Sequence, residues 1–167
     1  MNLKELLEKR KTAITKKWFD TVVETYPSDT SRFLKKQKDP FDNPVGSTTL
    51  QGVEGMFDEL LGNMDQEVIT SFLDPIIRIR AVQAFSASKA TGFIFFLKAI
   101  IRESIKDEIR QNQTDELLSI ESRIDELGLI AFDIYMSCRE TLFRIKAEEE
   151  KKRTFSAFER AGLIKEI

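Results

Sequence analysis

The feature that most constrains the fold is a long apolar repeat in the C-terminal third of the chain. Over residues 117–145, apolar and small residues recur at alternating intervals of three and four for four heptads. This spacing places them on one face of an α-helix and is typical of helices that pack against other helices. The repeat consists of Leu117, Ile120, Ile124, Leu127, Ala131, Ile134, Cys138, Thr141 and Ile145. Thr114, followed by Asp115 and Glu116, marks the start of this predicted helix, because hydroxyl and acidic groups suit the positive end of a helix dipole.

The predicted length of this helix exceeds the width of the domain. A helix over residues 114–153 is about 60 Å long at 1.5 Å per residue, whereas a compact domain of this size is roughly 40 Å across. The helix must therefore bend, for which Gly128 is a candidate, or project, or contact a partner. We predict a homodimer through this helix, with Leu117, Ile124, Leu127, Ala131, Ile134 and Ile145 as the candidate interface residues. The alternative is that this face belongs to the core of the domain itself.

The N-terminal half also shows helical spacing, and no segment sustains the period-two alternation that strands need. A first helix is predicted to end before Pro27, and a short helical piece follows near residues 30–36. Asn43 is a predicted N-cap and Pro44 a first helical residue, since proline lacks only an N–H that is unpaired there. That helix is predicted to reach Leu61 despite three internal glycines, which often permit close helix packing. The predicted fold class is an all-α helical bundle.

Three further helix starts follow in the sequence. Asp65 and Asp74-Pro75 leave two alternatives open, either two short helices over residues 66–73 and 75–83 or one kinked helix. Ser86 is predicted to cap one long apolar helix that runs to about Arg110.

The predicted domain organisation is a single unit with a short tail. The chain of 167 residues fits one sensory or regulatory domain over residues 1–153. Residues 154–167 carry Phe155, Phe158, Leu163 and Ile164 at helix-like spacing. This pattern favours a C-terminal tail that docks onto a surface.

The chain contains no histidine and a single cysteine, Cys138, which restricts its chemistry. The commonest general base and the usual haem ligand are missing, and one cysteine cannot complete a structural zinc site. Adjacent carboxylates such as Asp58 and Glu59, or Asp125 and Glu126, diverge on a helix and indicate a solvated surface rather than acid–base catalysis. We therefore expect a non-enzymatic protein without a metal or cofactor.

The charge balance argues against nucleic-acid binding. The 26 basic and 28 acidic residues give a net charge of −2, so no strong field draws the chain to phosphates. Residues 4–17 form a basic stretch and residues 54–74 an acidic one. The two stretches can pair with each other as readily as they can bind a ligand. The apolar stretch at residues 90–101 is too short for a membrane span. We expect a soluble, cytoplasmic protein.

Two arginines in an apolar segment, Arg78 and Arg80, are candidates for a buried charge. A poorly solvated guanidinium needs an anionic partner, so we expect a structural ion pair for one and solvent for the other. A contact to an anionic ligand remains the alternative. Several aromatic residues are expected to pack in the core. The alternative is that some of them line a ligand pocket, and the candidate residues for either the core or the pocket are Trp18, Arg80, Phe85, Phe93 and Phe96. Such a pocket would suit an acyl chain or a tetrapyrrole without a histidine ligand.

A series of short motifs, in order along the chain, carries a resemblance to a known family. The motifs are Lys17-Trp18, Thr25-Tyr26-Pro27, Asp39-Pro40-Phe41-Asp42-Asn43-Pro44-Val45-Gly46, Ile77-Arg78-Ile79-Arg80-Ala81-Val82-Gln83 and Phe158-Glu159-Arg160-Ala161-Gly162-Leu163. Over most of its length, roughly residues 3–153, the chain resembles the N-terminal domain family of RsbRD-type RsbT co-antagonist proteins, the helical input modules of the bacterial stressosome.

The resemblance implies a helical sensory or regulatory domain in bacterial stress signalling. Such domains are related in role to globin-like input domains without haem, which dimerise and pass signals through a terminal helix. The chain leaves no room for the STAS output domain that these co-antagonists carry, so a stand-alone regulator is the expectation. The leading hypothesis is a sensor or adaptor that acts through protein contacts, and the alternative is a small-molecule sensor with an apolar pocket.

Overall fold

The computed structural model describes residues 2–109 and 113–164, and within these ranges the regular structure is helical throughout. This confirms the predicted all-α class. The helices are α1 (Leu3–Val23), α2 (Ser28–Lys36), α3 (Pro44–Leu61), α4 (Gln66–Val82), α5 (Ala87–Thr91), α6 (Phe96–Ile105) and α7 (Thr114–Arg160), and a 3₁₀ turn (Gly92–Ile94) connects α5 to α6. No helix in the described ranges is both long and apolar enough to cross a membrane.

The core of the bundle is built around α1, which packs against α3 and α6. Asn2 and Glu5 form a capping box at its start, in which each side chain accepts a hydrogen bond from the other residue's backbone N–H. Trp18 is completely buried, and its indole Nε1 donates a hydrogen bond of 2.8 Å to the carbonyl oxygen of Phe93. This bond joins α1 to the turn between α5 and α6.

The predicted start and packing of α3 are confirmed. The Asn43 side chain accepts a bond of 2.9 Å from the Gly46 N–H and donates to the carbonyls of Leu34 and Gln37, so it also anchors the end of α2. At Gly52 an added Cβ would lie 3.1 Å from the carbonyl oxygen of Phe72 on α4. The absence of a side chain there lets α3 and α4 approach closely.

Helix α4 resolves the alternatives that were left open for residues 66–83. It is one helix with Pro75 in its interior, and the Asp65 side chain caps it by accepting bonds from the N–H groups of Glu67 and Val68. Asp74 does not start a second helix, because α4 continues through it. Its carboxylate binds the guanidinium of Arg78, one turn later, at 2.7 and 3.1 Å.

The prediction of one long helix after Ser86 is wrong. Ser86 does cap a helix, but α5 has only five residues and is followed by the 3₁₀ turn and by α6. Gly92 lowers the helical preference at the break, and the Phe93 carbonyl there accepts the Trp18 indole N–H. The predicted end at Arg110 lies outside the described residues.

The last helix, α7, is longer than predicted. It contains 47 residues, which corresponds to about 70 Å, and it begins at Thr114 and passes Gly128 without interruption. Gly128 accommodates the ring of Phe95, which a Cβ at this position would overlap. The boundary predicted between residues 153 and 154 falls inside the helix, so no structural break separates the tail from the domain.

The apolar repeat of α7 faces the core of its own bundle. Ile124, Leu127 and Ala131 are completely buried within a single chain. Leu117 and Ile134 are partly buried against the same core, whereas Ile145 is 45% exposed. The assignment of Ile124, Leu127 and Ala131 to a dimer interface is therefore corrected, because α4 and the other helices of the bundle already cover this face.

Candidate functional site

The structure brings together four of the five residues that were considered as a core cluster or pocket. Trp18, Arg80 and Phe93 are completely buried, and Phe85 lies beside them with part of its ring exposed. Phe96 is on the surface at the start of α6, where it is 48% exposed. The first four form a packed cluster around the side chain of Arg80.

The guanidinium of Arg80 is held by uncharged acceptors from two other parts of the bundle. Nη1 donates to the carbonyl oxygen of Lys89 at 3.0 Å, and Nη2 donates to the carbonyl oxygen of Val22 at 3.0 Å and to Oγ1 of Thr25 at 2.9 Å. Val22 lies in the last turn of α1, at the negative end of the helix dipole, and its carbonyl also accepts hydrogen bonds from the N–H and the hydroxyl of Thr25. Arg80 thus links the end of α1 to α4 and α5.

Three aromatic rings surround the same guanidinium. Its Cζ atom lies 5.2 Å from the ring centroid of Tyr26 and 5.0 Å from those of Phe85 and Phe93. These distances are within the range of cation–π attraction. We call Arg80, Tyr26, Phe85 and Phe93 the Arg80 cage.

No carboxylate among the described residues forms an ion pair with Arg80. Burial lowers the pKa of Arg80 from its ordinary value, although the group stays charged because an arginine titrates far above neutral pH. Its Nε is buried and has no hydrogen-bond partner in the described part of the chain. One of the two arginines does form the predicted ion pair, the exposed Arg78 with Asp74. The expectation that the other lies in solvent is corrected, because Arg80 is buried.

The connection between α4 and α5 closes the cage on one side. Ala84 has a φ of +60°, a left-handed conformation that costs a residue with a Cβ roughly 1–2 kcal/mol. The next residue, Phe85, contacts the Tyr26 ring edge-on at a centroid distance of 5.3 Å. The Tyr135 hydroxyl on α7 donates a bond of 2.6 Å to the Phe85 carbonyl. The cage and α7 are therefore joined through this connection.

A second candidate site is an exposed apolar stripe on α7. Its members are 39–66% exposed and lie within an arc of about 60° on the helix, about 140° from the face that packs in the core. The stripe consists of Leu118, Leu129, Phe132, Met136 and Phe143, and the exposed Asp125, which pairs with Lys98, interrupts it between Leu118 and Leu129. Leu129, Phe132 and Met136 follow one another at intervals of three and four residues. The sequence therefore contains a second, shorter helical pattern besides the core repeat.

The C-terminal part of α7 extends beyond the bundle. Leu142 is partly buried, and every residue of 143–164 is exposed, including Phe155 and Phe158. In residues 148–153 three glutamates precede three basic residues, and Glu150 pairs with Arg153 at 3.5 Å. Acidic residues placed three or four positions before basic ones stabilise a helix in water. The charged segment therefore helps this extension to remain helical without a covering partner.

Comparison with known proteins gives one family. A family model described as the RsbT co-antagonist protein rsbRD N-terminal domain matches residues 12–150. Searches of curated proteins and of solved structures give no match. The matched range contains the whole Arg80 cage and the complete stripe of α7.

Proposed function

Because the chain belongs to the family of RsbT co-antagonist protein rsbRD N-terminal domains, we propose that it works in stress signalling by contacting other proteins rather than by catalysis. The family implies a stressosome-related signalling domain. The absence of histidine from the sequence supports a role without acid–base chemistry, since histidine is the side chain most often used for it. We place this role in the cytoplasm, where an unpaired thiol such as that of Cys138 is common.

The observation that carries the proposal is the stripe on α7. Monomeric proteins rarely expose large contiguous apolar patches, and those that they do expose are often interaction sites. Phe132 and Met136 are exposed although Ile124, Leu127 and Ala131 on the opposite side of the same helix are completely buried. The helix therefore has one face that holds the bundle together and a second face available for a partner.

We further propose that this partner is a second copy of the chain, which pairs along the stripe and not along the buried repeat. The ring of Phe95 lies over Gly128, one helical turn from Phe132, and it is also partly exposed. It enlarges the apolar surface on the side of α6. In such a dimer the extensions of α7 present Phe155 and Phe158 as a docking segment for a downstream protein.

Sedimentation velocity of the full chain across a range of concentrations tests the dimer. We expect the wild type to dimerise and a Phe132→Glu, Met136→Glu variant to remain monomeric with unchanged helical content. Phe41→Glu is the matched control, because Phe41 is 92% exposed and lies outside the stripe. A wild type that stays monomeric at high micromolar concentration, or a stripe variant that still dimerises, contradicts the proposal.

A further inference from the structure

The Arg80 cage contains a buried positive charge for which no carboxylate partner is found among residues 2–109 and 113–164. An arginine side chain has five N–H donors and almost never lies fully buried unless it is paired. Arg80 is 0% exposed, and its three hydrogen bonds go to two carbonyls and a hydroxyl, none of which carries a net charge. The N–H of Nε donates to no group in the described residues. Within the described part of the chain, the guanidinium is thus stabilised only by neutral acceptors and by the faces of aromatic rings.

The cage has a fully buried side and a partly exposed side. Phe93 and Trp18 are completely buried and form its floor, with ring centroids 6.3 Å apart. Tyr26 and Phe85 are only partly buried, and they cover the guanidinium from the connections that follow α1 and α4. Ala84 is the left-handed residue that ends α4, where the N–H groups of Phe85 and Ala84 bind the carbonyls of Arg80 and Ala81 at 3.1 and 3.3 Å, so this backbone is held in place and only the side chain of Phe85 can move without breaking these bonds.

We propose that the Arg80 cage binds a small organic monocarboxylate with an apolar body about the size of one ring, in the position that the ring of Phe85 now occupies. The carboxylate accepts the free N–H of Nε and supplies the missing charge. The apolar body packs between Phe93 and Tyr26 in place of the Phe85 ring. This site goes beyond the proposed signalling role, and binding to it does not require the dimer.

The donors and walls of the cage favour a carboxylate over a phosphate. A phosphate carries up to two charges and needs several donors to replace its water, whereas the guanidinium has only two N–H groups beyond its three hydrogen bonds to the described residues, one on Nε and one on Nη1, and is surrounded by three aromatic rings. A single negative charge joined to an apolar group matches this composition. The ligand must also be small, because Trp18 and Phe93 leave the floor of the cage fully packed.

Trp18 is the only tryptophan in the chain and therefore reports on the cage by fluorescence. The full-length protein is titrated with cyclohexanecarboxylate and, in parallel, with cyclohexanecarboxamide, which has the same shape without the charge. We expect a saturable change in Trp18 emission and a rise in Tm with the carboxylate only. Phe85→Ala should bind the carboxylate at least about 3-fold more tightly, because no ring has to be displaced before binding.

Two arginine variants complete the experiment. Arg80→Met should abolish the response, whereas Arg78→Met, which removes an exposed arginine two residues away, should leave it unchanged. If Arg80→Met does not fold, the carboxylate and amide titrations of Phe85→Ala test instead whether the cage binds the carboxylate. Equal responses to the acid and the amide, or no response in either wild type or Phe85→Ala, overturn the proposal. A response of the same size to inorganic phosphate overturns the ligand class.

Discussion

The Tyr135 hydroxyl on α7 donates a hydrogen bond of 2.6 Å to the carbonyl oxygen of Phe85, the residue that covers the Arg80 guanidinium. Arg139, one turn further along α7, donates to the carbonyl of Ala81 at 3.2 Å. The helix that carries the stripe is therefore bonded to both sides of the connection that closes the cage. A movement of the Phe85 backbone has to break or shift the Tyr135 bond, which gives a physical route from the cage to α7.

Replacing Tyr135 with phenylalanine should loosen this connection. We expect a loss of about 1 kcal/mol in the free energy of unfolding, because the partly buried Phe85 carbonyl loses its donor. The same change should strengthen carboxylate binding, since Phe85 becomes easier to displace. Urea denaturation and the Trp18 titration measure the two effects. Tyr26→Phe is the control for stability, because no hydrogen bond to the Tyr26 hydroxyl is found among residues 2–109 and 113–164; a loss as large as that of Tyr135→Phe argues against the assigned bond.

Replacing Arg80 should separate the effect of its charge from that of its hydrogen bonds. Lysine keeps the charge but cannot reproduce the planar fork that reaches Val22, Thr25 and Lys89. Methionine loses the bonds and also removes the unpaired buried charge. We expect Arg80→Lys to lose about 3 kcal/mol and Arg80→Met to lose less, as measured by urea denaturation at neutral pH. If Arg80→Met instead loses more stability than Arg80→Lys, the folded protein stabilises the buried charge better than its three neutral acceptors suggest.

Gly128 and Phe95 should show energetic coupling. Alanine is about 1 kcal/mol more favourable than glycine within a helix, but its Cβ would overlap the Phe95 ring. We expect Gly128→Ala to destabilise the wild type by about 1 kcal/mol, because the ring must move, and to stabilise a Phe95→Ala background by a similar amount. Thermal unfolding of the four proteins in this double-mutant cycle gives the coupling energy. Additive effects would show that the ring moves away without cost.

The two apolar faces of α7 should respond differently to a charge. Ile124→Asp places a carboxylate in the fully packed core and should cost about 4 kcal/mol, enough to unfold much of the protein. Phe132→Asp changes a half-exposed residue and should alter the stability of the monomer by less than about 1 kcal/mol. Circular dichroism at low concentration compares the two. A folded Ile124→Asp variant would contradict the placement of this face in the core.

The local features of the fold were accessible from the sequence. Asn43 and Asp65 were identifiable as helix caps because a cap depends on residues two or three positions apart. The core repeat of α7 was visible because an amphipathic helix imposes its period on neighbouring residues. The motif series also pointed to the family that matches residues 12–150.

Other features depend on residues that are distant in the sequence, and only the tertiary structure decided them. Periodicity indicates that a helix face is covered but not by what, so Ile124 was assigned to a partner although its own bundle buries it. The break after α5 coincides with a bond between Trp18 and the Phe93 carbonyl, 75 residues apart. Arg80 could be identified as a candidate buried charge, but its lack of a carboxylate depends on how α1, α4 and α5 meet. Local preferences act over a few residues, whereas burial and charge pairing are set by the packing of the whole chain.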